Sequence, residues 1–206
     1  MSSGNRVKAG EMARNFSLPD ISGDPIQLSD YQGRNVLLSF FRDASCPFCN
    51  LRLYELTRKH AEYRSHGLEI IAVFNSSVDV VERYLGKRER PFPLLADVDR
   101  EIFRLYGVES SWGMLMKGMF NFSRMFSAFS KGFMPAAGAF KPLMPADFLI
   151  DETGLVRVSY YSRNAANHIS LKMVEKFITV MNSRHEALEK ELELPDIETL
   201  LSLGKA

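Results

Sequence analysis

The two cysteines of the chain lie three positions apart, Cys46 and Cys49, between a strongly apolar run and a segment of good helix formers. The apolar run, residues 35–41, is typical of a strand buried on both faces of a sheet. The segment that follows, about residues 47–66, predicts a helix. A strand that leads through Cys-x-x-Cys into a helix places Cys46 at the helix start, and in a chain with only two cysteines this order is a strong signal of redox chemistry.

The spacing of the two cysteines suits reversible thiol chemistry. A free cysteine has a pKa of about 8.5 and must be stabilised as a thiolate to react at neutral pH. The N–H groups and dipole of a helix N-terminus stabilise an anion there, and Cys49 on the same turn could form a disulfide with Cys46. Pro47 fits the first helical turn, where its missing N–H costs little. The alternative is that both are buried thiols that only pack.

Arg42 lies four residues before Cys46 and is a candidate supporting residue. Its guanidinium could stabilise either thiolate through its charge. A solvated arginine, or one in a structural salt bridge, explains the residue equally well. The sequence leaves these interpretations of Arg42 open.

Composition excludes several functional classes. Two cysteines are too few for a disulfide-stapled secreted domain, and with four unsuitably spaced histidines they do not complete a structural zinc site. We therefore predict no metal and no cofactor. A formal net charge of +1 predicts no nucleic-acid partner. The first 14 residues lack the apolar stretch of a signal peptide, so we predict a cytoplasmic protein.

The remaining pattern predicts an α/β fold with a mixed central sheet and helices on both faces. We expect one domain, residues 1–206, with a helical insertion at 113–143 and a C-terminal helical extension at 183–206. The predicted elements are an N-terminal hairpin within 15–34, strands at 68–74, 92–96, 147–151 and 155–161, and helices at 78–89, 100–106, 168–182 and 184–193.

Four segments carry a resemblance to a known family. They are Phe-Ser-Leu-Pro-Asp at 16–20, Leu-Ser-Asp-Tyr at 28–31, the residues from Phe40 to Asn50, and Pro-Ala-Asp-Phe-Leu-Ile-Asp at 145–151 with Gly154. Over roughly residues 10–110 and 144–182 the chain resembles the thioredoxin superfamily. It resembles most closely the alkyl hydroperoxide reductase/thiol-specific antioxidant (AhpC/TSA, peroxiredoxin-like) branch.

The resemblance implies a thioredoxin-like fold and a thiol-dependent oxidoreductase that reduces disulfides or peroxides. A dithiol reductant such as a thioredoxin-type protein would recycle the pair. Pro145 matches the family's cis-proline beside the active cysteines. The carbonyl of Met144 would then face the redox pair and bind an extended substrate backbone.

The resemblance leaves two assignments of the cysteines. Peroxiredoxins usually carry proline at the position of Arg42, threonine or serine at that of Cys46, and arginine at that of Pro145. In the thioredoxin-like assignment, Cys46 attacks a disulfide and Cys49 resolves the mixed disulfide; in the peroxidase assignment, Cys49 is oxidised to a sulfenic acid and Cys46 condenses with it. We favour Cys46 as the nucleophile because it is nearer the helix end and is expected to be more exposed.

The predicted insertion, residues 113–143, contains five of the ten methionines, six of the fifteen phenylalanines and no acidic residue. Helical periodicity separates an apolar face from a basic one. The apolar face contains Met119, Phe122, Phe126, Phe129 and Phe133, and the basic face contains Lys117, Arg124 and Lys131.

Several interpretations of the insertion are open. The apolar face could pack on the body of the domain, offer an adaptable surface to a partner or to a second subunit in a homodimer, or lie on an anionic membrane. The insertion could also cover the active site, because it precedes Pro145. A second function hypothesis follows, in which the chain is a non-catalytic interaction module that acts through this insertion.

Overall fold

The computed structural model describes residues 5–85, 91–108, 110, 122–133, 142–164 and 166–192. Its strands are β1 (Ser17–Pro19), β2 (Pro25–Gln27), β3 (Asn35–Phe41), β4 (Leu68–Phe74), β5 (Leu94–Ala96), β6 (Ala146–Ile150) and β7 (Val156–Tyr161). Its α-helices are α1 (Pro47–Ser65), α2 (Val78–Leu85), α3 (Glu101–Leu105), α4 (Phe122–Ser130) and α5 (Leu171–Leu192). A short 3-10 helix, Leu28–Tyr31, follows β2.

Five strands form the central sheet in the order β5-β4-β3-β6-β7. The middle strand, β3, pairs parallel to β4 and antiparallel to β6, and all seven of its residues are buried. β1 and β2 form the separate N-terminal hairpin. The predicted mixed sheet is therefore confirmed, and its most buried strand leads directly to Cys46.

Each face of the sheet is covered by a different group of elements. Residues of α1, α2 and α5 pack on the face that carries Leu37 and Phe41. Residues of α3, the hairpin and the N-terminal segment pack on the face that carries Leu38 and Phe40. Because both faces are covered, the alternating side chains of β3 are buried on either side, which explains its continuous apolar sequence.

The N-terminal segment lies along the outer edge of β7. The N–H of Gly10 donates to the carbonyl of Val156 at 2.8 Å, and the N–H of Val156 donates to the carbonyl of Glu11 at 2.9 Å. The N–H of Val7 also donates to the hydroxyl of Tyr161 at 2.8 Å. The segment thus pairs with main-chain groups of an edge strand that would otherwise meet solvent.

The C-terminal helices differ from the prediction. Helices at 168–182 and 184–193 were expected, but a single helix, α5, runs through both ranges from Leu171. It begins there because Ser170 accepts a hydrogen bond from the N–H of Met173 at 3.2 Å, as an N-cap residue does. The apolar pattern fades near Ser183 because the helix extends into solvent, and no glycine or proline interrupts it there. Residues 193–206, which include Pro195, lie outside the described part.

Within the insertion, the structure describes residues 122–133 and 142–143. α4 confirms a helix there, but the predicted apolar face does not pack as one unit. Ala128 and Phe133 are buried against Leu51 of α1, whereas Phe126 is 76% exposed and Phe129 is 40% exposed. The small side chain of Ala128 allows α4 to approach α1 closely, and this approach turns Phe126 outward. Lys117 and Met119, with the side chains of Phe122 and Arg124, lie outside the described residues.

Two glycines with positive φ differ in how closely other atoms approach them, and comparing them measures how tightly the N-terminal segment packs. Gly107 has φ +66°, and a Cβ there would lie 2.5 Å from the carbonyl oxygen of Asn5. Gly67, which follows α1, has φ +78° and no atom within 4 Å of such a Cβ. An alanine in left-handed backbone costs roughly 1–2 kcal/mol, so Gly67→Ala should lose about that much stability in urea unfolding. Gly107→Ala should lose about 3 kcal/mol because Asn5 must also move. Equal losses would contradict this packing.

Candidate active site

Cys46 and Cys49 lie where β3 leads into α1. Cys46 is the N-cap of the helix with extended backbone, φ −76° and ψ 125°, and Pro47 is its first residue. The N–H of Asn50 donates to the carbonyl of Cys46 at 3.0 Å and closes the first helical turn. Both cysteines are free thiols, so the structure represents the reduced pair.

A tight turn fixes the segment before Cys46. A carboxylate oxygen of Asp43 accepts hydrogen bonds from the N–H of Ser45 at 2.9 Å and from its hydroxyl at 2.6 Å. The side-chain amide of Asn50 donates to the carbonyl of Ala44 at 2.7 Å. Neither Asp43 nor Asn50 was predicted as a site residue. The Asp-x-Ser pattern directly before a helix start is the signal that could have predicted the turn.

Arg42 is buried beside the cysteines. Its side chain is only 2% exposed, and one guanidinium nitrogen donates to Cys46 Sγ at 2.7 Å. This contact excludes the solvated arginine that the sequence left open. The cation lies within hydrogen-bonding distance of the sulfur at the helix start, where it stabilises a thiolate.

The environment of Cys46 favours its thiolate. Burial alone raises the pKa of this thiol. The hydrogen bond from the Cys49 thiol, the charge of Arg42 and the N–H groups of Cys49 and Phe48 together outweigh burial and lower the pKa of Cys46 to about 6. Cys46 is therefore mostly ionised at neutral pH.

The pKa of Cys49 moves in the opposite direction. Burial raises it, and the hydrogen bond to Cys46 and the negative charge of that sulfur raise it further. Arg42 and the main-chain N–H of Asp43 oppose the rise without cancelling it. Two thiols on one helical turn are thus held in different protonation states, because only one negative charge is stabilised there.

Exposure does not distinguish the two cysteines. Cys46 was expected to be the more exposed one, but each is 1% exposed, so that prediction is wrong. The N-cap position buries Cys46 because the turn at Asp43 and the side chain of Arg42 pack around it. A reaction with an external disulfide therefore requires the residues that cover Cys46 to move.

Met144 and Pro145 precede β6. The first residue of β6, Ala146, pairs with Phe40, so Pro145 lies at the end of the sheet where β3 leads toward the cysteines. The described residues contain no cis peptide bond, so the bond before Pro145 is trans and the expected cis-proline is wrong. The carbonyl of Pro145 accepts a hydrogen bond from the N–H of Ser162 of the neighbouring chain segment, which holds this backbone in place without a cis bond.

A buried polar cluster lies on the face of the sheet that carries Leu37 and Phe41. The sequence did not predict this cluster. The carboxylate of Asp147 accepts hydrogen bonds from the Ser39 hydroxyl at 2.6 Å, from His168 Nδ1 at 3.0 Å and from the N–H of Ile169 at 2.8 Å. The ring of His168 lies 4.8 Å from that of Phe41, one residue before Arg42. No local sequence pattern predicts this cluster, because its members come from β3, β6 and the segment before α5.

Where the chain is described, no group of three or more His, Cys, Asp or Glu side chains could hold a metal ion. In the same residues, no helix is long and apolar enough to cross a lipid bilayer.

The sequence profile of the AhpC/TSA family matches residues 9–159. The chain belongs to the AhpC/TSA family. Among its relatives, peroxiredoxin Bcp of Escherichia coli K12 is 30% identical over 164 residues, which cover 80% of this chain and 92% of Bcp. The thiol-disulfide oxidoreductase ResA of Halalkalibacterium halodurans is 32% identical over 103 residues, which cover 50% of this chain and 58% of ResA.

A solved structure extends the comparison to the fold. Peroxidoxin BcpB of Mycobacterium tuberculosis is 19% identical, has a TM-score of 0.59, and the match covers 86% of this chain and 98% of BcpB. The thioredoxin-like fold that the sequence predicted is confirmed. Family membership together with the Cys46–Cys49 pair makes this AhpC/TSA protein a thiol-dependent oxidoreductase.

Proposed function

We propose that this AhpC/TSA protein reduces disulfide bonds, with Cys46 as the attacking thiolate and Cys49 as the resolving thiol. The 2.7 Å hydrogen bond from Arg42 to Cys46 Sγ carries the proposal, because it places a buried cation directly against this sulfur at the helix start. A thiolate is the nucleophile in thiol–disulfide exchange. The opposite shifts in the pKa values of the two cysteines support the same assignment.

In the first step, the Cys46 thiolate attacks one sulfur of the substrate disulfide. A bond forms between Cys46 Sγ and that sulfur, the substrate S–S bond breaks, and the second substrate sulfur leaves as a thiolate that takes a proton from water. The carbonyl of Met144, next to Pro145 at the same end of the sheet, would bind the extended backbone of the substrate in this step.

In the second step, Cys49 must lose its proton and attack Cys46 Sγ. Its pKa is high partly because the Cys46 thiolate lies beside it. That charge disappears once Cys46 is in a mixed disulfide, and Arg42, which interacts with both sulfurs, can then stabilise the Cys49 thiolate. The attack forms the Cys46–Cys49 disulfide and releases the second substrate thiol. The pair is oxidised by two electrons and the substrate is reduced by two.

An external dithiol must return the pair to its reduced form by the reverse exchange. We propose a thioredoxin-type protein for this role, since a dithiol can attack the Cys46–Cys49 disulfide and resolve its own mixed disulfide. A homodimer formed through residues 113–143 stays a prediction.

Peroxide reduction is the second candidate, and the similarity to peroxiredoxin Bcp favours it. The pKa values favour Cys46 as the attacking sulfur here too, in place of Cys49. The Cys46 thiolate would cleave the O–O bond, become a sulfenic acid and release the other oxygen as water or an alcohol. Condensation with Cys49 would then release water and give the same intramolecular disulfide.

Trapping experiments test the assignment of the cysteines. With a fluorescent peptide disulfide, Cys49→Ser should accumulate a mixed disulfide at Cys46 that mass spectrometry locates, because the resolving thiol is missing. The matched control, Cys46→Ser, should form the adduct much more slowly, because burial still raises the pKa of Cys49 after the charge of Cys46 is lost. An adduct in Cys46→Ser, with none in Cys49→Ser, would reverse the roles.

Stopped-flow oxidation of the reduced protein separates the two substrates. Faster reaction with the peptide disulfide than with hydrogen peroxide, at equal concentrations, is expected for a disulfide reductase. The reverse order would replace the first candidate function with the second.

A further inference from the structure

The turn between β3 and α1 holds its main-chain N–H groups in fixed directions. The N–H of Cys46 donates to the carbonyl of Asp43 at 3.1 Å, and the N–H of Ser45 donates to the Asp43 carboxylate at 2.9 Å. The N–H of Ala44 donates to the hydroxyl of Ser76 at 3.1 Å. These three N–H groups of the turn are therefore paired with oxygen atoms.

The fourth N–H group of the turn, that of Asp43, donates to Cys49 Sγ. Cys46 Sγ accepts hydrogen bonds from other main-chain groups, the N–H groups of Phe48 and Cys49 at the start of α1. The guanidinium of Arg42 interacts with both sulfurs. The two sulfurs thus use different main-chain donors, because the helix start serves Cys46 and the turn serves Cys49.

Side chains from two other segments fix this turn. Ser76, which is buried just after β4, holds the turn from one side. The side-chain amide of Asn50 holds it from α1, where it donates to the carbonyl of Ala44 at 2.7 Å. The N–H of Asp43 therefore keeps its direction toward Cys49. A donor that is fixed in this way stabilises a negative charge without reorganising when the charge forms.

We propose that Asp43 and Ser76 are positioning residues for the resolving step, in which they hold the N–H of Asp43 against the thiolate of Cys49. The inference rests on the proposed function, because it requires Cys49 to be the resolving thiol. In this step the Cys49 thiol gives its proton to water and the sulfur attacks Cys46 Sγ. The Cys46–Cys49 bond forms, the bond from Cys46 to the substrate sulfur breaks, and that sulfur leaves as a thiolate that takes a proton from water.

The fixed N–H acts on the fraction of Cys49 that is ionised. A hydrogen bond to a charged group is stronger than one to a neutral group, so this donor favours the Cys49 thiolate over the thiol. A stabilised thiolate is also a weaker nucleophile, so the rate gains only about half of this effect on a logarithmic scale. Loss of the donor should therefore slow the resolving step by a measurable but limited factor.

A fluorescent peptide joined through a disulfide to thiopyridine separates the two steps when the reduced protein is in excess. Attack by Cys46 releases the thiopyridine, whose absorbance measures the first step, and leaves the peptide on Cys46. Acid quenching and mass spectrometry then follow the decay of this mixed disulfide, which measures the resolving step. Only the first rate should rise with protein concentration, because the resolving step occurs within one molecule.

Asp43→Ala should slow the decay of the mixed disulfide about three- to tenfold. It should slow the release of thiopyridine much less, because Cys46 keeps Arg42 and the N–H groups of the helix start. Asp43→Asn should stay close to the wild-type decay, because its amide oxygen can accept the same two hydrogen bonds from Ser45.

Two further variants complete the test. Ser76→Ala should also slow the decay more than the release of thiopyridine, because the N–H of Ala44 loses its acceptor and the turn is held less firmly. Asp79→Ala removes an exposed aspartate of α2 and is the matched control, so both of its rates should equal those of the wild type. Release of thiopyridine near the wild-type rate shows that a variant is folded.

Three results would overturn this inference alone. They are a wild-type decay rate in Asp43→Ala, equal slowing of both steps by Asp43→Ala, and a decay in Asp43→Asn that is as slow as in Asp43→Ala. A wild-type mixed disulfide that does not decay to the Cys46–Cys49 disulfide would instead overturn the proposed function, and this inference with it.

Discussion

Replacing Arg42 with methionine should raise the pKa of Cys46 from about 6 into or above the ordinary range of cysteine. The variant loses both the charge and the hydrogen bond that oppose the effect of burial. With a pKa of about 8.5, the thiolate fraction at pH 7 would fall from about nine-tenths to about 3%. The exchange rate should fall by less than this, because a more basic thiolate is a stronger nucleophile.

The same substitution should lower the reduction potential. Ionisation of Cys46 stabilises the reduced protein and has no counterpart in the disulfide form. With a pKa of about 6, this stabilisation is about 1.4 kcal/mol at pH 7, so its loss should make the potential about 30 mV more negative. Because the pKa of Cys46 is lowered, the thiolate is present above about pH 6 and is lost as the pH falls through that value.

Thiolate absorbance of the reduced protein, followed against pH, measures the change directly. Arg34→Met is a suitable control, since the Arg34 side chain is 58% exposed and reaches Glu69 at 3.5 Å, away from the cysteines. Arg42→Lys should fall between wild type and methionine, because it keeps a charge without the planar guanidinium. An unchanged midpoint in Arg42→Met would show that the Cys49 thiol and the N–H groups of the helix start lower the pKa of Cys46 without Arg42.

Replacing Asp147 with alanine should lower the free energy of unfolding by about 3–5 kcal/mol. The carboxylate is buried and accepts hydrogen bonds from Ser39, His168 and Ile169. Its removal leaves three buried donors without this acceptor, which costs more than the loss of one hydrogen bond. Such a loss is a large part of the roughly 5–15 kcal/mol that stabilises a typical domain.

Urea unfolding of two further variants separates the effect of the buried cluster from a general effect of charge. Asp79→Ala, at an exposed position in the first turn of α2, should cost less than about 0.5 kcal/mol. Replacing Asp147 and His168 together with leucine should cost less than Asp147→Ala, because His168 is removed with its acceptor and only the Ser39 hydroxyl and the Ile169 N–H lose their partner. A double variant less stable than Asp147→Ala would indicate that Asp147 and His168 matter mainly for shape.

The pH dependence of the Asp147 effect has a defined sign. Burial raises the pKa of this carboxyl, but the charge and hydrogen bond of His168, the charge of Arg52 and the hydrogen bond of Ser39 hold it below its usual range. Because the folded-state pKa is lowered, ionisation of Asp147 stabilises the fold. This stabilisation is complete above the unfolded-state pKa of about 3.9 and is lost as the pH falls through the folded-state pKa. The gap between wild type and Asp147→Ala should therefore narrow in acid.

Local patterns were sufficient to predict the cysteine-bearing part of the fold. The apolar run of β3 and the helix formers of α1 placed Cys46 at a helix start, because both signals lie in adjacent residues. The burial of Arg42 was not predictable in this way, since it depends on how the turn at Asp43 packs. The contact between Asp147 and His168 joins segments that are distant in sequence, and the periodicity of apolar residues cannot predict such a contact.

The insertion shows a second limit of prediction from sequence, which concerns the orientation of a helix. Its periodicity predicted an amphipathic helix, but the more apolar side of a helix is not always the packed side. Ala128 packs against Leu51 because a small residue permits close approach, and the position of Phe126 follows from that contact. Sequence patterning gives the two faces of a helix, and only the tertiary fold determines which one meets the core.

The hydrogen bonds that join Val156 to Gly10 and Glu11 also affect how this protein resists aggregation. The outer strand of a sheet can act as a template on which another chain adds a strand, and this is a common route to domain swapping and amyloid. The N-terminal segment already occupies that template position at Val156. Another polypeptide could extend the sheet there only by displacing the N-terminal segment. A part of the chain that is remote from the cysteines therefore also protects their fold against strand addition.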